Sequence, residues 1–223
     1  MDHLERLLEH GIEAEPDTII SLPVARDHGF YAGILYPYLL EKKREHSTYP
    51  DSYNKRQGVK WIVSLPMAEI VHALPIFPDT KTVKRAADAL ENAGMIKTES
   101  TGAFLDPKHV TGRKRDTATW WHVPTSVVPA YVDQDQHYEI SALETIRYGS
   151  AQALILAHWR HAPNELKENA ASYKKLSAAE MAKILPLDER TNRRNLKEML
   201  ASNLLIQHPE KPKLYTLPTN SRR

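Results

Sequence analysis

The sequence predicts a mainly α chain with small β-hairpins, an α+β class, in which one helical unit is built twice in tandem. Three observations carry this expectation. Residues 78–96, PDTKTVKRAADALENAGMI, hold a helix with one apolar face and its own start and stop signals. Two β-prone stretches, 97–101 and 119–123, follow it and flank a basic loop. Finally, LPMAEIVHALP at 65–75 returns as LSAAEMAKILP at 176–186, matching Leu, Ala, Glu, Leu and Pro at the same steps.

Composition narrows the function classes. A chain of 223 residues is long enough for two domains that each bury a core. The boundaries read as an N-terminal helical arm at 1–17, a first domain at 18–123, a linker at 124–138, a second domain at 139–218 and a basic tail at 219–223. No run of about twenty apolar residues occurs, and the charged start MDHLERLLEH does not suit a secretion signal. The expectation is a soluble protein of a prokaryotic cytoplasm, associated with the nucleoid. The absence of cysteine excludes disulfides, thiolate metal sites and a cysteine nucleophile. A net charge of +2 does not by itself indicate nucleic acid, so the case rests on where the cations sit.

In chain order, residues 2–10 form a short amphipathic helix with Leu4, Leu7 and Leu8 on one side, which could cover the first domain or touch a second copy of the chain as a homodimer. Residues 18–22 read as a brief strand or extended entry. After Gly29, FYAGILYPYLLEKKREH is an apolar helix that Pro37 should bend or start later. Residues 47–57 are loop-like, and 58–64, with Trp61 and Val63 alternating, read as a strand. Residues 66–73 give a helix with Met67, Ile70 and Val71 inward, and 74–78 a turn.

Asp79 is placed as the N-cap of the next helix and Gly94 as its stop, while Val83, Ala86, Ala87 and Leu90 recur at helical spacing. Lys81, Lys84, Arg85, Asp88 and Asn92 fall on the opposite side, the layout of a recognition helix entering a major groove. A helix-turn-helix followed by a β-hairpin is a winged helix. The wing would be AFLDPKHVTGRKRDTA, whose Lys108, His109, Arg113, Lys114 and Arg115 are placed to meet phosphates.

Beyond the linker the pattern begins again. ALETIRYGSAQALILAHWRH resembles LPVARDHGFYAGILYPYLLEK with Gly29 and Gly149 in register. With a one-residue shortening of the turn, Leu200 and Ile206 fall where Leu90 and Ile96 do. The second recognition helix spans 188–202, with Leu196, Met199 and Leu200 inward, Arg190, Arg194 and Lys197 outward and Arg193 at the flank. Its shorter hairpin carries Lys211 and Lys213, and Arg222 and Arg223 close the chain. The fold expected is therefore tandem winged helix-turn-helix domains.

The order LPVARDHGFYAGILYPYLL, QGVKWIVSLPMAEIVHALPIFPDTKTVKRAADALENAGMI and DTATWWHV resembles the N-terminal winged-helix domain of phage replisome organisers and DnaD-like primosome proteins. That likeness spans residues 20 to 123. The family usually continues with an unrelated helical domain, whereas two winged helices in one chain are similar to iteron-binding plasmid replication initiators. The resemblance implies origin DNA binding in a phage, plasmid or mobile element and recruitment of replication proteins such as a helicase or its loader.

No catalytic constellation is present, so no enzyme is expected. There is no His-x-His with a tyrosine nucleophile, no Walker-type loop, and Asp133 and Asp135 lack a spacing that demands acid-base work. His158 and His161 share one helix edge without a third ligand nearby, so neither metal nor cofactor is expected. In the leading hypothesis Lys81, Thr82, Lys84 and Arg85 read or brace the major groove of double-stranded DNA, Lys108, Arg113, Lys114 and Arg115 hold phosphate, and Arg190, Arg193, Arg194 and Lys197 repeat the task one groove further on. A transcriptional regulator of the same build, binding a promoter, is the second hypothesis. A structural adaptor whose winged helices bind protein is the third.

Overall fold

A computed structural model describes residues 18–46, 65–100, 119–124, 136–168 and 171–218. The expected N-terminal helix, the strand around Trp61, the loop bearing Lys108, His109, Arg113, Lys114 and Arg115, residues 125–135 of the linker and the tail with Arg222 and Arg223 lie outside them. The described residues are α-rich, with eight helices and small antiparallel sheets, an α+β chain. They fall into two compact units, Thr18–His137 and Tyr138–Arg223.

Unit 1 begins with β1 (Thr18–Ser21), α1 (Leu22–His28) and α2 (Phe30–His46). Only Leu22 of α1 falls within the stretch, 18–22, expected as a brief strand or extended entry; all seven residues form a helix with Leu22, Val24 and Ala25 buried. Gly29 separates it from α2 at φ 97°, a left-handed conformation that glycine takes without steric cost. The second helix starts at Phe30 and runs through Pro37. Its Ala32, Ile34, Leu35, Tyr36 and Leu39 are buried.

The close approach of α1 to α2 is made at Gly33. A Cβ on Gly33 would fall 2.5 Å from the Ala25 Cβ and 2.9 Å from its Cα and N. Helix propensity favours alanine over glycine by about 1 kcal/mol, but a clash with backbone in a packed core costs about 1–3 kcal/mol. Gly33→Ala is therefore expected to lower the thermal midpoint, and adding Ala25→Gly to restore part of it. A midpoint raised by Gly33→Ala alone would contradict this packing.

Next come α3 (Met67–Ala73) and α4 (Thr80–Asn92), then β2 (Lys97–Ser100) and β3 (Thr119–His122). The two strands pair antiparallel, with Lys97 opposite His122 and Ser100 opposite Thr119. Trp121 in β3 is fully buried, and its indole Nε1–H donates to the Leu65 carbonyl at 2.9 Å. The Leu65 amide in turn donates to the Thr119 carbonyl at 3.2 Å. Leu65 thus fastens the hairpin to the residues that enter α3.

Unit 2 repeats this order. After β4 (His137–Ile140) come α5 (Ala142–Tyr148), Gly149 at φ 87°, and α6 (Ser150–His161). Then α7 (Ala178–Ile184) and α8 (Glu189–Ala201) precede β7 (Ile206–Gln207) and β8 (Leu214–Thr216). The Leu176 amide donates to the Lys213 carbonyl at 3.0 Å, as Leu65 does to Thr119. An extra hairpin, β5 (Asn164–Glu168) with β6 (Ala171–Lys175), was not legible in sequence and completes a four-stranded sheet in the order β5-β6-β8-β7.

One correction concerns register. The turn between the paired helices is residues 74–79 in unit 1 and 185–188 in unit 2, two residues shorter rather than one. Leu90 therefore corresponds to Met199, and Ile96 to Leu205. Met199 and Leu205 are buried, whereas Leu200 is half-exposed and Ile206 is 42% exposed. Both helices end alike: Met95 donates to the Leu90 carbonyl at 2.9 Å and Leu204 to that of Met199 at 2.8 Å. Gly94 at φ 69° and Asn203 at φ 57° take the left-handed step that closes each.

Candidate nucleic-acid interface

Both helices of interest start on the same local device. The Asp79 carboxylate accepts from the Thr82 amide at 2.7 Å and from its hydroxyl at 2.8 Å. Asp188 accepts from the Thr191 amide at 2.7 Å and from its hydroxyl at 3.2 Å. These bonds hold both carboxyls below the usual aspartate range, the Thr82 and Thr191 amides being the leading cause. The sign follows. With folded values depressed, each cap contributes fully above the ordinary range and is lost as pH falls through the folded value, so both helices fray in acid.

Burial sets which way each helix faces. Val83, Ala86, Ala87 and Leu90 of α4 are buried, which leaves Lys81, Lys84, Arg85 and Asp88 exposed. In α8 the buried residues are Asn192, Asn195, Leu196 and Met199, leaving Arg190, Arg193, Arg194 and Lys197 exposed. Counted from the matched caps, Lys81 corresponds to Arg190, Lys84 to Arg193 and Arg85 to Arg194. Two helices of thirteen residues thus present the same three cation positions.

The buried asparagines were not singled out in sequence, because their polarity suits a solvated face. Asn192 Nδ2 donates to the Leu187 carbonyl at 3.3 Å and Asn195 Nδ2 to the Thr191 carbonyl at 2.9 Å. Their place in the apolar stripe, at the positions of Val83 and Ala86, is the only signal that could have found them.

Carboxylates temper part of the cationic face. Lys84 Nζ lies 3.1 Å from Asp88, Arg193 pairs with Glu189, and Arg194 lies 3.8 Å from Glu198. Glu198 also accepts from Gln152 Nε2 at 3.2 Å. These are exposed i,i+4 pairs, worth little to stability and readily exchanged for phosphate. Among the described residues no carboxylate lies within 4.0 Å of the charged nitrogens of Lys81, Arg85, Arg190 or Lys197, although Lys81 and Arg85 act on Asp79, and Arg190 on Asp188, from further off. Thr82, expected to read or brace the groove, spends its hydroxyl on the cap.

At the second hairpin, His208 is 5% exposed and organises the tip. Its Nδ1 accepts from the amides of Glu210 and Lys211 at 3.1 and 3.2 Å, so the proton sits on Nε2, 3.1 Å from Glu168. Lys211 and Lys213 are exposed beside it. Elsewhere, the histidine pair of α6 is engaged with Tyr138, whose hydroxyl lies 2.8 Å from His158 Nδ1 and whose ring stacks on His161 at 4.4 Å. Burial, and then the nearby His161, pushes the His158 pKa down.

Among the described residues no helix is long and apolar enough to cross a membrane. Compared with known proteins, the chain matches no family model, no curated protein and no solved structure.

Proposed function

We propose that the chain binds double-stranded DNA through two winged helix-turn-helix domains, at origin DNA of a phage, plasmid or mobile element during replication initiation. The observation that carries this reading is the repeated cation set, Lys81, Lys84 and Arg85 against Arg190, Arg193 and Arg194, on equivalent exposed faces. Exposed charge alone is common. The same three positions kept on two copies of one helix, opposite a buried face, favour a shared polyanionic target. Replication as the setting is supported by the likeness of residues 20 to 123 to replisome organisers, described above.

The test is a fluorescence anisotropy titration of a labelled duplex over a range of salt. Affinity should fall linearly in log–log form, and neutralising Lys108, Arg113, Lys114 and Arg115 together should flatten the slope by about 3 to 4 if each meets a phosphate. No duplex binding at about 50 mM salt overturns the proposal. Selection from a random DNA pool then separates the settings: an enriched origin repeat supports initiation, an enriched promoter supports regulation.

A further inference from the structure

Unit 2 carries a cleft whose apolar lining the DNA reading does not use. It lies between the start of α7, the outer face of α8 and β8, with a volume of about 460 Å³. Leu176, Leu196, Leu200 and Tyr215 supply its apolar lining, with Ala178 and Ala179 at one wall. Around them stand Arg193, Lys197 and Lys213, all exposed, and one carboxylate, Glu189, already paired with Arg193.

Comparison with unit 1 shows what is particular here. Counted from the matched caps, Lys197 stands where α4 has Asp88, and Leu200 where it has Glu91. In unit 1 Asp88 neutralises Lys84, and Glu91 accepts from the Thr98 amide and hydroxyl at 2.9 and 3.0 Å. Counted from Leu65 and Leu176, Ala178 replaces Met67, leaving room at the wall. On one scaffold, two acids have become a cation and a half-exposed leucine, and a long side chain has become a methyl group.

We propose that this cleft docks a short acidic segment of a partner protein, seating one bulky apolar side chain on Leu200 and its neighbours while flanking carboxylates meet Arg193, Lys197 and Lys213. Charge complementarity selects this occupant. A phosphate backbone would satisfy the cations but leave the apolar lining unused, whereas an apolar segment without acids would leave Lys197 and Lys213 without a carboxylate at its rim, Arg193 keeping only Glu189. The volume lies within the range of sites that take a few side chains. Because Arg193 and Lys197 also belong to the proposed DNA face, the segment and a duplex compete for unit 2.

The experiment titrates the full chain against fluorescein-labelled peptides, one of sequence Glu-Asp-Leu-Leu-Glu-Phe and one with both leucines and the phenylalanine changed to serine. Saturable binding of the first is expected, about tenfold or more weaker for the serine peptide. Leu200→Glu and Lys197→Asp, which restore the character of the unit 1 positions, should each weaken the first peptide about tenfold while the thermal midpoint holds. An unlabelled duplex should displace it. The inference is overturned if the first peptide does not bind, if both peptides bind alike, or if the two variants bind as the parent does. It does not rest on the DNA reading, since a duplex that fails to bind leaves peptide docking standing, and the reverse also holds.

Discussion

Trp121→Ala is expected to lower the thermal midpoint of unit 1 by about 10 °C or more. The side chain is fully buried, and removing a buried tryptophan typically costs about 3–5 kcal/mol through lost transfer energy and the cavity left behind. Its Nε1–H is also the donor to the Leu65 carbonyl, so truncation removes one of the two bonds that, among the described residues, tie β3 to the entry of α3. Against a total stability of about 5–15 kcal/mol for an ordinary domain, this loss consumes much of the margin. Trp121→Phe separates the two contributions. It keeps most of the ring volume but leaves the carbonyl unpaired, for about 1–3 kcal/mol. Calorimetry should show the alanine variant melting in two steps, the later one matching unit 2. A single transition within a degree of the parent would remove Trp121 from its place as the anchor of the hairpin.

That dependence on one long-range bond explains which parts of the fold were legible in sequence. Helix α4 was readable because its signals are local: a capping aspartate, an apolar stripe at helical spacing and a glycine stop. The β2–β3 pairing was readable because a β-prone run returns after the basic loop. Helix α1 was not, since its seven residues, with Pro23 near the start and Gly29 as the stop, are too few for a helical stripe to stand out after the extended entry expected at 18–22. The β5–β6 hairpin lacks a buried face, and its register shifts between Asn164 and Leu166, so no alternation survives to mark it. In unit 2, a turn shortened by one residue matches Leu200 and Ile206 to Leu90 and Ile96. The cap on Thr191 decides for Met199 and Leu205 instead, one step earlier.

The candidate site divides in the same way. Which cations face outward follows from periodicity, and the structure places Lys81, Lys84, Arg85, Arg190, Arg193, Arg194 and Lys197 at the surface. What each cation is paired with does not follow from periodicity. Whether Lys84 turns to Asp88, or Arg193 back to Glu189, depends on rotamers that spacing permits but does not choose. Because the turn of unit 2 is two residues shorter, the three cation positions of α4 fall on those of α8.

That coincidence makes the double reversal Arg85→Glu with Arg194→Glu the most informative binding variant. Both side chains are exposed, so each change should move stability by no more than about 0.5 kcal/mol, and the thermal midpoint serves as the control. Losing a base or phosphate contact costs about 1–3 kcal/mol, and reversal adds repulsion, so each single change should weaken duplex binding by roughly 5- to 150-fold. The two residues lie in separate units and share no partner, so their effects should add until one unit alone carries the complex. Tandem domains on one duplex bind with an affinity multiplied by an effective concentration, which either single reversal forfeits. The double variant should therefore fall below both singles, to the affinity of cations outside these helices. Lopsided singles, with Arg85→Glu abolishing binding and Arg194→Glu changing nothing, would assign DNA to unit 1 alone and leave the face of α8 to the acidic segment. A double variant that binds as tightly as the parent, at an unchanged salt slope, would detach both helices from DNA altogether.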